Sequence, residues 1–540
     1  METEYAYFSN VDEAPPLDFG QFMAGVRQIV PSISSSQNPH RFFLANGGTF
    51  SIEGGSLQGV GHASLEAAFV ETATPVCRSP MQLIEYQYAM RDVAVEALKG
   101  MTEDGDRTLV QGNHDAYGHT YGQHESYDVN VAKGFCLLGW RAFLVMMLPA
   151  LLLYHGFTSL WLMTIWIVAS VYLRIRKFFS RKKPGGVQPS LSTRWLTLCT
   201  FGVRLFHTPI VVMLWCNIRL FALRPYRKML TSFFATRCVV DGAGYIDEAG
   251  RFWVSARSAQ TNCVIGFGSY GRGRPIFRCD SWLRELCIGP GFSWKRYRGM
   301  FASRRRVEIA IGDSGLCDLS QYLKVGITSL VLDLAERNPD ALVPRLCHPI
   351  RALNTFAKDW MLLARVPDKN DCHWRACEVQ NAFASAVRKM LEEAPKAPDE
   401  AWRIMEQWQF VLNHLESSDD KSEPPRLLVG RIDWITKLWI LEHLKKENAS
   451  VDAKRKLDLR YHELSSHGYF RRVMDVVDIP RVISRRGLER ARGNPPVDDP
   501  VSIARSYLIR EFSNSGSQLE MDRDSAQWYS NGQLRRVRFS

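Results

Sequence analysis

The longest apolar run in the chain is Cys136 to Leu173, CLLGWRAFLVMMLPALLLYHGFTSLWLMTIWIVASVYL, with Arg141 as its single charge. It is about 38 residues long, and one membrane-spanning helix needs ~20. His155-Gly156-Phe157-Thr158-Ser159 in its middle has turn-like composition, so the pattern predicts two helices joined as a hairpin over 136–173. The basic run RIRKFFSRKK, Arg174 to Lys183, follows at once and predicts a cytoplasmic flank. A second apolar segment, Trp195 to Leu223, carries Arg204, His207 and Arg219, which suits a tilted or interfacial helix better than a clean span. The competing assignment for the whole region is a buried core hairpin.

Elsewhere the pattern alternates between short β-rich runs and long helical periods. Thr49–Glu53, Thr108–Gln111, Phe252–Ser255 and Val307–Ile311 predict strands. Pro80–Leu98, Leu319–Glu336, Trp374–Glu393, Glu400–Leu415 and Ile435–Lys446 predict helices. This mixture is an α+β pattern. Residues 1–131 and 227–471 form two parts of one folded domain, interrupted by a membrane-associated insert at 132–226. Ser417–Pro425 is a polar connector. From about 472 the chain turns basic and turn-rich, which predicts a small C-terminal domain over 472–540.

Charge sharpens this division. The 540 residues carry 68 basic and 56 acidic side chains, a formal charge of +12. No Asp or Glu lies between Asp128 and Asp241, and 132–226 holds twelve Lys and Arg. The excess therefore belongs to the insert and the remainder balances. That argues against a nucleic-acid partner, which needs a basic face on a folded domain. The twelve cysteines are scattered without CxxC spacing, as expected of reduced intracellular residues, and Cys372-His373-Cys377 is too sparse to specify zinc. No apolar stretch near Met1 predicts a signal peptide. Gly266–Gly271 fits GxGxxG, but Arg272-Gly273-Arg274-Pro275 does not start the helix a dinucleotide fold requires.

Several residues are candidates for chemistry. Glu2 and Glu4 are two apart in a predicted strand, so both carboxylates share a face and can hold Mg²⁺ against nucleotide phosphates. Glu53 ends the Thr49–Glu53 strand and Glu71 closes another apparent strand, Ala67–Glu71. Asn113–Tyr127 is dense in His, acid and Tyr, with glycines allowing close backbone approach. Arg257, Arg272 and Arg274 are candidate phosphate contacts.

These pieces, in this order, resemble the Pup ligase/depupylase family of glutamine-synthetase-like carboxylate–amine ligases. Glu2-Thr3-Glu4-Tyr5 resembles the family's ETE-aromatic metal strand, and Asn46–Glu53 its NGARxYxD strand. Glu71–Cys77 is similar to EYATPEC, Tyr121–Tyr127 to YGCHENY, Ser255-Ala256-Arg257 to SQR, and Arg274-Pro275-Ile276 to RPI. Ile311-Gly312-Asp313 through Leu323–Gly326 to Leu330–Leu332 matches VGD…LKVGT…LVL. Pro349–Ala352, Ile432-Asp433-Trp434 with Lys437, Asp458–His462 and Asn494-Pro495-Pro496 continue the series.

The resemblance implies a glutamine-synthetase-like catalytic domain with an antiparallel sheet and helices. It implies that ATP phosphorylates the γ-carboxylate of a C-terminal Glu on a small Pup-like protein, which a target lysine then joins through an isopeptide bond, feeding proteasome-linked degradation. It places Mg²⁺ on Glu2, Glu4 and Glu71, nucleotide near His124, Arg257, Arg274 and Asn113, and the catalytic base at Glu53. The chain departs from the family pattern at four points. Glu53 replaces an Asp, Ser51 a Tyr, Val76 a Glu and Ser126 an Asn. No counterpart of the family's DEPHA histidine follows Arg278-Cys279-Asp280. The opening strand is short or the true start lies upstream. Three readings follow: a membrane-anchored ligase with its catalytic side in the cytoplasm, a depupylase or deamidase on the same fold, and a binding module without chemistry. The spacing from Glu4 to Asn46 leaves no room for the extra loop of the depupylase branch, which favours the ligase.

Overall fold

The computed structural model describes residues 1–9, 17–36, 38, 40–54, 68–101, 107–114, 121–180, 193–268, 273–287, 291–416, 424–445, 450–477, 479, 481–513, 519–521 and 525–539. Its centre is a ten-stranded sheet. The N-terminal strands are β1 (Glu2–Ser9), β2 (Ser32–Ser34), β3 (Arg41–Leu44), β4 (Thr49–Gly54), β5 (Ala68–Ala73), β6 (Arg107–Val110) and β7 (Gln123–Asn130). A small hairpin follows, β8 (Tyr245–Ile246) with β9 (Phe252–Trp253), and then β10 (Cys263–Gly266), β11 (Pro275–Arg278) and β12 (Arg304–Ile309) return to the main sheet. The order is β10-β11-β12-β7-β1-β5-β4-β3-β2, with β6 also on β1. β10–β11 is parallel and the other pairs are antiparallel, so the α+β expectation holds with one parallel edge.

The period-2 rule explains how this sheet divides its faces. Tyr5, Phe42, Phe50 and Val70 are buried against Phe22 and Val26 of helix α1 (Phe19–Ile29) and Met90 and Val93 of α2 (Pro80–Lys99). The alternate positions carry polar side chains on the other face. Asn46-Gly47-Gly48 makes the turn into β4: Gly47 has φ +88, and a Cβ there would approach Ser502 to 2.9 Å.

The C-terminal residues are not a separate body. Leu508, Ile509, Met521 and Ala526 lie in the same core as Tyr5, Phe42 and Phe50, and Arg490 pairs with Glu85 at 2.5 Å.

The insert differs from its expected shape. Instead of a hairpin within 136–173, α3 (Gly134–Ser180) is one continuous helix, paired with α4 (Thr193–Leu220). At 1.5 Å per residue its 47 residues span about 70 Å. The 155–159 segment stays helical because both sides of it are held. His155 Nε2 lies 2.8 Å from the Leu286 carbonyl, Phe157 stacks on Phe206, and a Cβ on Gly202 would strike the Trp161 ring. The first half of α3 packs on the domain through Trp140, Leu144, Met147 and Leu151, with the Trp140 indole donating to the Met300 carbonyl at 2.9 Å. Farther along, Trp166, Leu162, Met163, Ile167 and Val171 are exposed. Both helices are long and apolar enough to cross a membrane, by length and composition.

Candidate active site

The polar face of the sheet collects a row of side chains contributed by five neighbouring strands. Glu4 stands opposite Glu71, and Glu71 opposite Ser51. Glu2 stands opposite His124, and Ser126, two positions on, faces Glu308. The row therefore reads Ser51, Glu71, Glu4 and Glu2, His124, Glu308. Each member follows from strand parity and register, not from closeness in sequence.

Two kinds of environment occur along the row. At one end, Glu4 and Glu71 are carboxylates directly across a ladder, an arrangement that repels unless a cation or a donor intervenes. The Gly122 N–H donates to Glu4 Oε2 at 2.9 Å, and the Ser51 hydroxyl donates to Glu71 Oε2 at 2.8 Å. An all-oxygen pair of this kind suits a hard cation such as Mg²⁺, so these residues fit that ion.

At the other end, ligating atoms of Glu2, His124 and Glu308 lie within 4.8 Å of one another, a spacing that resembles a metal site. Guanidinium groups already fill its electrostatic role. Arg278 Nη1 is 2.8 Å from His124 Nδ1 and 3.3 Å from Glu308, and Arg306 donates to Glu2 Oε1 at 2.9 Å. Burial alone would raise the Glu2 pKa, but Arg306 and His124 overcome it and bring it down to about 2. This half of the row does not fit a further divalent ion with Arg278 in place. Glu2, expected to share a metal with Glu4 and Glu71, here pairs its carboxylate with Arg306.

Arg257 reaches the row as expected. It sits on a short helix (Ala256–Gln260), after the Ser255 cap, whose hydroxyl accepts the Ser258 N–H at 3.2 Å. Asp313 accepts the Arg257 N–H at 3.1 Å, the Ala310 carbonyl accepts its Nη2 at 2.8 Å, and that same Nη2 lies 2.8 Å from His124 Nε2. His124 thus has a guanidinium at each ring nitrogen. Burial lowers the pKa of Arg257 despite Glu4 and Asp313 nearby. Arg257 Nη1 and Arg278 Nε are buried without a hydrogen-bond partner, so each keeps a donor that an anion could satisfy.

Two further expected nucleotide contacts, Arg274 and Asn113, take different positions. Arg274 is exposed at the start of β11, its backbone N–H on Asn262 Oδ1 at 2.8 Å; the guanidinium that reaches His124 from this strand belongs to Arg278. Asn113 is buried, and its amide clasps the Ser314 backbone, donating to the carbonyl at 3.1 Å and accepting the N–H at 2.5 Å. Asn113 therefore shapes the floor near Gly122. A Cβ on Gly122 would meet Asn113 Oδ1 and Arg257 Cδ, each at 2.9 Å. The Glu53 backbone lies in β4, two positions beyond Ser51 and opposite Phe69; its side chain lies outside the described residues, as do Arg272 and 115–120.

Beneath the sheet, the acid next to His124 turns the other way. Glu125 receives a bidentate pair from buried Arg237 at 2.9 and 2.7 Å, and Arg237 also meets Asp241 at 2.8 Å. Burial pushes the Asp241 carboxyl up to about 7, although Arg237 and Lys324 pull it down. The Ile432-Asp433-Trp434 and Asp458–His462 motifs also form a clasp. Asp433 accepts the Leu316 N–H at 2.7 Å and the Tyr461 hydroxyl at 3.0 Å, while buried Lys437 joins Asp458, His462 and the Gly244 carbonyl.

Sequence reasoning missed Glu308, Arg278 and Arg306. The signal for two of them is partly present: Arg306 and Glu308 are two apart, the same parity that marks Glu2 and Glu4, but the strand expected at Val307–Ile311 begins earlier, at Arg304.

Comparison with known proteins bears on the family and the fold. The chain is 27% identical over 311 residues to a Pup–protein ligase of Acidimicrobium ferrooxidans, covering 55% of this chain and 61% of that protein. It is 30% identical over 300 residues to a Pup deamidase/depupylase of Mycobacterium tuberculosis, covering 52% and 54%. The chain thus spans little more than half the length of the relatives it matches. In fold it is similar to the Pup ligase PafA in complex with Pup, with a TM-score of 0.64 and 18% identity over 100% of this chain and 88% of that one. PafA with ADP gives 0.60 and 19%, over 99% and 94%. A sequence model described as Pup-ligase protein matches residues 5–530, and the chain belongs to that family.

Proposed function

We propose that this protein is a membrane-anchored, ATP-dependent carboxylate–amine ligase that joins the C-terminal glutamate of a Pup-like protein to target lysines, feeding proteasome-linked degradation. The observation that carries it is the one-face row Ser51–Glu71–Glu4 beside His124, with Arg257 and Arg278 at the imidazole. Bound Mg·ATP supplies the phosphoryl group that activates the modifier's carboxylate. Glu4 and Glu71 hold the Mg²⁺. Arg257 and Arg278 neutralise phosphate charge from positions fixed by Asp313, Ala310 and Asp280. Glu53, at the end of β4, takes the proton of the incoming lysine, whose pKa near 10.4 otherwise leaves it protonated and non-nucleophilic. The acid-free insert with its exposed apolar distal half supports a membrane anchor, and the basic flank a cytoplasmic active face.

Incubating the full-length chain with ATP and a Pup-like protein ending in Glu tests the ligase reading. Conjugates on lysine with ADP release are expected. Cleavage of preformed conjugates with no ligation would move the protein to the depupylase reading, to which the 30% identity to a deamidase/depupylase lends weight. Neither activity would favour the binding module.

A further inference from the structure

The root of the insert carries a second polar feature, well apart from the carboxylate row in sequence and contacts. Along α4, Phe201, Leu205, Val212 and Trp215 are exposed, at spacings that place them on one helix face. The same face continues to Arg219, whose guanidinium lies 5.2 Å over the Trp215 ring. From Phe201 to Arg219 the face runs about 27 Å.

The track ends in cations held in place by the helix terminus. Arg224 Nη1 donates to the Leu220 carbonyl at 3.3 Å, and Arg227 Nη1 to the Arg219 carbonyl at 2.8 Å. Each guanidinium is thus docked on the negative end of α4 by one nitrogen and keeps further N–H groups for another acceptor. With Lys228 they border a cleft of about 640 Å³, closed on its other side by Val264, Ile265 and Pro349. Among the described residues no acid pairs with Arg219, Arg224, Arg227 or Lys228. Burial, then Arg219 and Arg224, lower the pKa of half-buried Arg227. Several uncompensated cations around one part-desolvated cleft repel each other until an anion joins them.

We propose that this cleft binds the phosphate headgroup of an anionic phospholipid, with an acyl chain laid along the Phe201–Trp215 face of α4. The inference rests on the membrane reading above. A soluble phosphate would satisfy the cations, but it leaves the apolar track that runs into them without an occupant. A lipid matches both, with a headgroup small enough for a cleft of this volume.

The test uses the full-length chain in mild non-ionic detergent, titrated calorimetrically with dihexanoyl-phosphatidylglycerol, dihexanoyl-phosphatidylcholine and inorganic phosphate. Phosphatidylglycerol should bind at least tenfold more tightly than either of the others. The double variant Arg224→Gln/Arg227→Gln should weaken it tenfold or more while ATP affinity stays unchanged. Because those two residues also cap α4, the pair Arg219→Gln/Lys228→Gln, which makes no cap bond, should weaken it as well. Equal affinity for the two lipids, or insensitivity of phosphatidylglycerol binding to both double variants, overturns the proposal. Phosphate binding as tightly as phosphatidylglycerol assigns the cleft to a soluble anion and overturns it too. Membrane insertion itself is read separately: release of the chain by alkaline carbonate defeats the anchor, whereas a retained chain that does not discriminate between the lipids defeats the cleft alone.

Discussion

Replacing Arg278 with Gln should convert a one-cation site into a two-cation site. Arg278 Nη1 lies 2.8 Å from His124 Nδ1 and 3.3 Å from Glu308, so a divalent ion ligated by Glu2, His124 and Glu308 would sit within about 4 Å of the guanidinium. At an effective dielectric of about 20, a unit charge and a double charge at that distance repel by about 8 kcal/mol. That is worth more than five powers of ten in affinity, enough to keep the trio free of divalent ions at millimolar concentrations. Gln removes the charge and leaves the two carboxylates and the imidazole. Asp280, the other partner of Arg278, keeps Arg284 at 2.6 Å, so the variant does not strand it. The assay is Mn²⁺ titration of the nucleotide-bound protein by electron paramagnetic resonance. The wild type should bind one tight Mn²⁺ per chain and Arg278→Gln two. Two tight ions in the wild type, or no gain in the variant, would refute the idea that a guanidinium replaces a cation here.

Four further outcomes follow from the same geometry. Glu71→Gln should weaken Mg·ATP binding at least tenfold by calorimetry while leaving the metal-free fold as stable or slightly more so, since it relieves the repulsion with Glu4. Gly122→Ala should push on Arg257 and Asn113 and lower kcat/KM by roughly 10²-fold, because misplacement of about 1 Å is worth that much; an unchanged rate would show that Arg257 has room to move. Asp241 binds its proton more tightly folded than unfolded, since its pKa is raised to about 7, so its contribution to stability falls as pH rises from about 4 to 7. Asp241→Asn removes that loss; denaturant melts should therefore show the variant gaining on the wild type by on the order of 1–3 kcal/mol across this window, and a constant difference would contradict the assignment. Glu53→Gln should keep ATP binding and lose conjugation by ~10²–10⁴-fold, and conjugation at the full rate in Glu53→Ala would remove the base assignment.

Part of the candidate site is legible in the sequence because it is local and periodic. Glu2 and Glu4, two apart in a strand, predict a shared face whatever the tertiary fold, whereas Glu71, expected at a strand end, lies inside β5, which runs on to Ala73. The ordered motifs supplied what periodicity could not, the convergence of strands far apart in sequence. Arg278 has no such local mark: Arg274-Pro275 carries the motif, yet Arg274 precedes the strand and is exposed, while Arg278 at its far end reaches His124. Asn113 is buried at the floor of the row, where its amide makes two bonds to the Ser314 backbone that no sequence pattern announces. The turn expected within 155–159 is absent, although glycine and small polar residues often mark one. Here α4 and the Leu286 carbonyl hold the 155–159 segment straight. The Arg237 network was invisible, since burial of a cation depends on Glu125 and Asp241 approaching from two elements.

The central claim is that this row of side chains activates a carboxylate with ATP. It is tested most directly by following oxygen. A Pup-like protein carrying ¹⁸O in the side-chain carboxylate of its C-terminal glutamate is incubated with the full-length chain, ATP, Mg²⁺ and a lysine acceptor. Phosphorylation of that carboxylate and displacement by the amine leave one carboxylate oxygen on the departing phosphate. The account predicts one ¹⁸O per inorganic phosphate released, with one isopeptide bond formed for each. Conjugates accompanied by unlabelled phosphate, or labelled glutamate recovered unchanged while ATP is consumed, would contradict it.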